Sequence, residues 1–149
     1  MRHMKKWYLI KAKLRQESTA IINLENQGYI SYCPIVKVNK KNVVLFPGYV
    51  FIYLDKNNDN WSPICSTKGV TNFVRFGLNF AQVPDLIIEY IRVNQSNLEE
   101  KLKKLSKFKE GDKVQITDGV FKNCIAIFKS YKSEDRIILL MKVLGQQQA

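Results

Sequence analysis

The chain has 149 residues, 46% of them hydrophobic, and a formal net charge of +11. That is room for one ordinary domain or two small ones around a real core, which excludes a disordered chain. Apolar runs such as those at 43–46 and 137–141 fall far short of the roughly 18 residues a membrane helix needs. No apolar stretch follows the basic start as a signal peptide requires, so the expected location is the cytoplasm, with no membrane partner.

Three cysteines, Cys33, Cys65 and Cys124, stand far apart without a CxxC, and the single histidine is His3. This composition points to reduced thiols rather than a zinc site. The sequence has no interior histidine to act as a general base and no phosphate-cradling glycine loop, so no catalytic residue, cofactor or metal is expected and the chain is not read as an enzyme. The charge is uneven. Residues 1–41 carry nine Lys/Arg against two Glu (+7), residues 42–95 four against four (0), and residues 96–149 eleven against seven (+4). A basic N-terminal section beside a neutral one suggests a positive face that attracts nucleic-acid phosphates.

In chain order, Trp7-Tyr8-Leu9-Ile10 predicts a first strand. From Glu17 the period changes. Ala20, Ile21, Leu24 and Gln27 keep helical spacing, and Gly28 sits where a helix stops; Asn23, Asn26 and Gln27 then fall on the exposed side. Residues 29–38 read as extended, interrupted at Pro34, and Lys40-Lys41-Asn42 as a loop tip. Residues 43–46 and 49–54 read as two strand pieces around a Pro47-Gly48 turn signal. A polar loop over 55–60 and a strand over 70–76 follow, with Trp61 expected to be buried. Pro84 opens a helix over 85–93 with Ile87, Ile88 and Ile91 inward.

Residues 94–109 lack Gly and Pro and place Glu99, Glu100, Lys103 and Lys104 at helix-pairing spacings, so they read as a linker with helical potential. A second unit begins near Phe108. At about 40 residues it is small for an autonomous core, so it either leans on another surface or closes a tiny barrel. The organisation expected is 4–95, a linker over 96–107, and 108–149. The last segment is doubly coded. Val114 and Ile116, then Ile125 and Ile127, alternate as strands do. Thr117, Phe121, Cys124 and Phe128 follow helical spacing, as do Ile137, Leu140, Met141 and Leu144 after a polar turn at 132–135.

Two stretches resemble the N-terminal domain of NusG-family transcription elongation factors. They are Leu45-Phe46-Pro47-Gly48-Tyr49-Val50-Phe51, and Thr67-Lys68-Gly69-Val70 running into Phe73-Val74-Arg75-Phe76-Gly77. Trp7-Tyr8 and Val83-Pro84 fall in the family's order, and the run from Gly111 to Phe121 resembles the opening of a KOW motif. Within the family the likeness is to the specialised RfaH-like members, through Phe-Val-Arg-Phe-Gly and through Ala126, where an ordinary KOW motif has glycine.

The resemblance implies an α+β protein: an α/β N-terminal domain with a mainly antiparallel sheet flanked by helices, and a small C-terminal domain that rests as a helical hairpin or forms a β-barrel. It implies a monomer that binds the clamp helices of RNA polymerase, suppresses pausing, touches the non-template DNA strand, and recruits the small ribosomal subunit through the released C-terminal domain. Carried over by position, the polymerase patch is Phe46, Tyr49, Ile88 and Ile91, with Phe51 read as core. The DNA positions are Lys13, Asn23, Asn26, Gln27, Thr67 and Lys68. The interdomain face of the C-terminal unit is Phe121, Cys124, Phe128, Arg136, Leu140 and Leu144.

Departures are visible. Lys11 stands at a tyrosine of the patch, Thr19, Asn23 and Asn26 at basic side chains, and Asn60-Trp61-Ser62-Pro63 at a His-Thr-rich loop. Arg136 matches an arginine that RfaH ties to a glutamate, and the glutamate's position here is Val43. The residues alone leave other readings open: a solvated helix face for the amides, a general NusG-like factor with a permanent barrel, or an RNA-binding or ribosome-associated module.

Overall fold

A computed structural model describes residues 5–38, 40–57, 59–95, 126–127 and 132–147. Its centre is β1 (Lys5–Ala12), in which Trp7, Tyr8, Leu9 and Ile10 are all buried. A strand alternates its side chains between two faces, so an unbroken buried run means that both faces are covered. The contacts divide by parity. Tyr8, Ile10 and Ala12 join one cluster with Ala20, Leu24, Ile64 and Phe73. Trp7 and Leu9 join another with Phe46, Phe51, Ile87, Ile88 and Ile91.

The sheet is antiparallel, with β2 (Ile30–Tyr32), β5 (Tyr49–Asp55), β1 and β6 (Val70–Phe73) side by side in that order. β5 pairs along β1 from Lys5↔Asp55 to Lys11↔Tyr49, and β2 lies beyond it. The other edge of β1 is shared. β6 takes Ile10 to Ala12 across a bulge at Lys11/Ala12, and β9 (Gln82–Val83) takes Trp7 and Tyr8. Two hairpins stand apart from the sheet: β3 (Ile35–Val38) with β4 (Lys41–Val44), and β7 (Arg75–Phe76) with β8 (Asn79–Phe80).

Helix α1 (Glu17–Asn26) covers one face through Ala20 and Leu24. It stops at Gly28, φ +91, where Tyr29 N–H reaches the Leu24 carbonyl at 3.1 Å and Gly28 N–H the Glu25 carbonyl at 2.9 Å. This is the paired closure that a left-handed residue after a helix permits. The single turn α2 (Ser62–Cys65) adds Ile64 to the same face. On the opposite face lie α3 (Asp85–Gln95), through Ile87, Ile88 and Ile91, and α4 (Ser133–Gln147), through Leu140, Val143 and Leu144.

Several sequence expectations shift. Lys41 and Asn42 belong to β4 rather than to a loop tip, and β4 ends at Val44, paired with β3. Leu45 instead sends its N–H to the Pro34 carbonyl at 2.9 Å. The strand expected over 70–76 is two strands, because Val74 N–H bonds Leu9 while Ala81 N–H bonds Val74, which folds the chain back into β7–β8. α2 and β9 were not legible at four and two residues. In the C-terminal part the polar turn at 132–135 is largely the first turn of α4, with Glu134 and Asp135 where a helix N-terminus favours acids. Ala126 and Ile127 are helical, and Ile127 is buried in the cluster that α4 joins. Phe121, Cys124 and Phe128 lie outside the described residues.

Candidate binding surfaces

The first surface grows from the Pro47-Gly48 turn. Tyr49 N–H bonds the Phe46 carbonyl at 3.1 Å, with proline second and Gly48 third at φ +86, the positive angle such a turn demands at that place. Gly48 is pinned from both sides. Its N–H donates to Glu17 Oε2 at 2.7 Å, and its carbonyl accepts from Ala12 N–H at 2.8 Å. The turn presents Phe46 and Tyr49 to the cluster of Ile88 and Ile91.

Of the four patch residues, Phe46, Ile88 and Ile91 are 0–1% exposed and Tyr49 is half-buried. The four lie together in one cluster, and that cluster is covered. Leu140, Val143 and Leu144 of α4, each fully buried, sit in the same cluster. Burying such a side chain is favourable by about 1.5–3 kcal/mol, and a helix of this length needs that support to persist. Val143 was not among the predicted interdomain residues; it shares the face with Leu140 and Leu144 at three-four spacing.

Arg136, also buried, donates from Nε to the Leu45 carbonyl at 2.8 Å. Leu45 directly precedes Phe46, so the first turn of α4 is tied to the chain that carries the patch. Val43, at the position where the resemblance expects an acid, packs against the edge of the same cluster. On the far flank, the Arg92 guanidinium lies 5.3 Å from the Trp7 ring centre and 4.9 Å from that of Tyr32.

The second surface is the outer side of α1 with the turn before β6. Lys13 N–H bonds the Gly69 carbonyl at 2.8 Å. Gln27 Nε2 donates to Thr67 Oγ1 at 2.8 Å and to the Asn23 carbonyl at 3.0 Å. Asn23 Nδ2 donates to the Thr19 carbonyl at 2.8 Å. The six positions expected at DNA lie on α1 and the two turns beside it, but are unequally exposed. Lys13, Asn26, Gln27 and Lys68 are exposed and Asn23 half-buried, whereas Thr67 is only 6% exposed and its hydroxyl donates to the Pro63 carbonyl. Thr67 positions Gln27 rather than presenting itself. The amides were expected to offer paired donors and acceptors to base edges. In this arrangement both N–H donors of Gln27 and one of the two of Asn23 are engaged internally.

A third feature was not visible in the sequence. Trp61, expected to be buried, is half-buried and stacks on Phe73 (5.0 Å, 22°) and Phe80 (5.1 Å, 26°). Its edge meets Tyr8 at 4.9 Å. Trp61, Phe73 and Phe80, with Lys56, Ser62, Cys65 and Arg75, line an open groove of about 400 Å³. The aromatics come from three separate elements and share no spacing in the chain, so no local pattern could have joined them.

An antiparallel sheet with one basic, amide-bearing flank and one apolar patch, the latter capped by a helix from the far end of the chain, describes a two-surface binding module. The sequence profile of the NusG family, described as transcription termination factor nusG, matches residues 5–92. The chain belongs to that family.

Among its relatives, the transcription termination/antitermination protein NusG of Chlamydia trachomatis serovar D is 24% identical across 97% of this chain and 88% of that protein. The protein of the same name from Thermus thermophilus is 27% identical across 95% of this chain and 91% of its own length. A solved structure described as domain interaction in Thermotoga maritima NusG aligns with a TM-score of 0.49 and 27% identity, over 58% of this chain and 55% of that one.

Proposed function

We propose that this chain is a transcription elongation and antitermination factor of the specialised, RfaH-like kind. Residues 4–95 bind the clamp helices of RNA polymerase through Phe46, Tyr49, Ile88 and Ile91. Lys13 and Lys68 hold phosphates of the non-template DNA strand, and Asn23, Asn26 and Gln27 lie beside its bases. Residues 108–149 form a second unit that covers the polymerase patch until DNA or polymerase shifts the population. Once released, that unit folds as a barrel and is free to meet the ribosome's small subunit. The setting is the cytoplasm.

The observation that carries this reading is the burial of Leu140, Val143 and Leu144 against Phe46, Ile88 and Ile91, with Arg136 held on the Leu45 carbonyl. A general NusG-like factor is the second reading, favoured by relatives named for termination and antitermination that match over most of their length. A protease site inserted in the 96–107 linker separates the two. Under the first reading, cleavage and removal of the C-terminal piece raises polymerase affinity at least tenfold, and helical signals in residues 133–147 give way to strand signals. Unchanged affinity and unchanged signals favour the second.

A further inference from the structure

We infer that Arg92 is a positioning residue for the polymerase patch: its guanidinium, laid on the Trp7 and Tyr32 rings, keeps α3 seated on the sheet when α4 leaves. Ile88 and Ile91 are then already in place for the partner. The inference deepens the reading of Phe46, Tyr49, Ile88 and Ile91 as the polymerase surface and rests on it.

Helix α3 has neighbours on two sides. Ile87, Ile88 and Ile91 share one buried cluster with Leu9, Phe46 and Phe51, and with Leu140, Val143 and Leu144 of α4. Withdrawal of α4 removes one of these walls. An isolated helix of 11 residues is marginal in water without packing. The patch therefore survives the loss of its cover only if something besides α4 holds α3.

Two attachments meet that need, one at each end of the helix. At its start, α3 follows directly on β9, which pairs with β1 at Trp7 and Tyr8. In its last turn stands Arg92, with its guanidinium 5.3 Å from the Trp7 centre and 4.9 Å from that of Tyr32. Arg92 follows Ile88 by four residues, so it lies one turn further along the same face. Both rings belong to the sheet, to β1 and β2, and neither is supplied by α4.

The platform under Arg92 is itself fixed. Trp7 lies 4.9 Å from Tyr53, and Tyr32 stacks on Phe51 at 6.1 Å and 28°. Phe51 meets Phe46 edge-on at 6.1 Å and 85°. A run of rings thus connects the seat of Arg92 with Phe46 of the patch, so one arrangement positions both halves of the surface.

Arginine suits this place for two reasons. Its planar, weakly hydrated guanidinium lies flat on aromatic faces, which an ammonium cannot do. A cation in the last turn also complements the negative end of the helix dipole. One cation–π contact at a partly exposed site corresponds to roughly a fivefold change in a local equilibrium. A partner that meets a helix already in place is spared the cost of ordering it.

Full-length parent, Arg92→Lys and Arg92→Gln chains are compared by amide exchange, alone and mixed with purified bacterial RNA polymerase. In the free Arg92→Gln chain, residues 88–93 are expected to exchange at least about fivefold faster than in the parent, with β1 and β5 still protected. Arg92→Lys keeps the charge without the plane and should fall between the two. Polymerase affinity should drop at least about fivefold in Arg92→Gln. Binding should return α3 to the parent's protection, which a residue that only supports the fold would not show.

Unchanged exchange of α3 in both variants overturns the inference. Loss of protection throughout the sheet in both overturns it too, because Arg92 would then be a general support. Faster exchange with unchanged polymerase affinity removes the positioning role and leaves the patch reading intact. A parent chain that binds no polymerase sinks the patch reading itself.

Discussion

The Glu17 carboxylate accepts the Gly48 N–H at 2.7 Å inside the protein, so the first turn of α1 is fastened to the turn that presents Phe46 and Tyr49. The two surfaces are thereby mechanically joined, through a carboxylate only 5% exposed. Glu17→Ala leaves a buried N–H without its acceptor and should cost about 1–3 kcal/mol. Glu17→Gln keeps an acceptor oxygen and should cost less. Urea unfolding at unchanged m reads the difference; equal stability of both variants to the parent would show that the bond is idle.

Among the described glycines, Gly69 has the closest neighbours. A Cβ there would lie 2.8 Å from Ala20 N and 3.0 Å from the Gln16 carbonyl, and φ is already +93. Both neighbours are backbone, so neither can swing aside. Gly69→Ala should therefore lose about 2–4 kcal/mol, seen as a fall of several degrees in Tm. A variant as stable as the parent would mean that α1 shifts freely away from the turn, contrary to the bonds of Glu17 to Gly48 and of Lys13 to Gly69 that hold its start in place.

Arg136→Ala removes a charged, buried donor from the Leu45 carbonyl, an interaction of about 1.5–3 kcal/mol. Amide exchange in 133–147 should then accelerate at least tenfold while β1 and β5 stay protected. Global acceleration instead would mean that α4 and the sheet unfold as one unit.

Two groups beside the sheet respond to alkali. Burial, with the Glu17 charge adding to it, pushes the Cys33 thiol from about 9 up to about 12. Burial also pushes Tyr32 from 10 to about 12, against the opposing pull of Arg92. Both folded values exceed the unfolded ones, so the folded state holds protons that the unfolded chain releases. Their contribution is complete below about pH 9 and is lost as pH rises towards 12. Near neutral pH the Cys33 thiolate is scarce, so an aromatic disulfide reagent should modify exposed Cys65 well before Cys33. Equal rates, mapped by mass spectrometry, would contradict the burial of Cys33.

On the α1 surface, Lys13→Ala and Lys68→Ala should each reduce the salt slope of recruitment to a paused complex by about one, with sequence preference unchanged. Gln27→Ala breaks its bonds to Thr67 and Asn23 and should instead alter preference, together with a stability loss of about 0.5–1.5 kcal/mol. Identical behaviour of the lysine and amide variants would remove the distinction between phosphate and base contacts.

The sequence carried the sheet and the helices α1 and α3 plainly, because continuous apolar strands and a glycine stop act locally. It carried the patch through the Phe46-Pro47-Gly48-Tyr49 turn, whose backbone angles depend on the residues themselves. What it did not carry is set by tertiary contact. The break at Val74 follows from hydrogen bonds to Leu9 and Ala81, the engagement of the Gln27 donors from a residue forty positions away, and the Trp61 groove from three unrelated segments. In 133–147 the helical spacing of Leu140 and Leu144 was legible, and the face it defines is the one buried in the cluster of Phe46.

The order of elements along the chain has a temporal consequence. Every strand and helix of the sheet unit is present once residue 95 is made, whereas α4 begins at Ser133. At roughly 5–20 residues per second of synthesis, the 37 intervening residues (96–132) correspond to roughly 2–8 s. Each newly made molecule thus passes through an interval in which Phe46, Ile88 and Ile91 exist and their lid has not yet been translated.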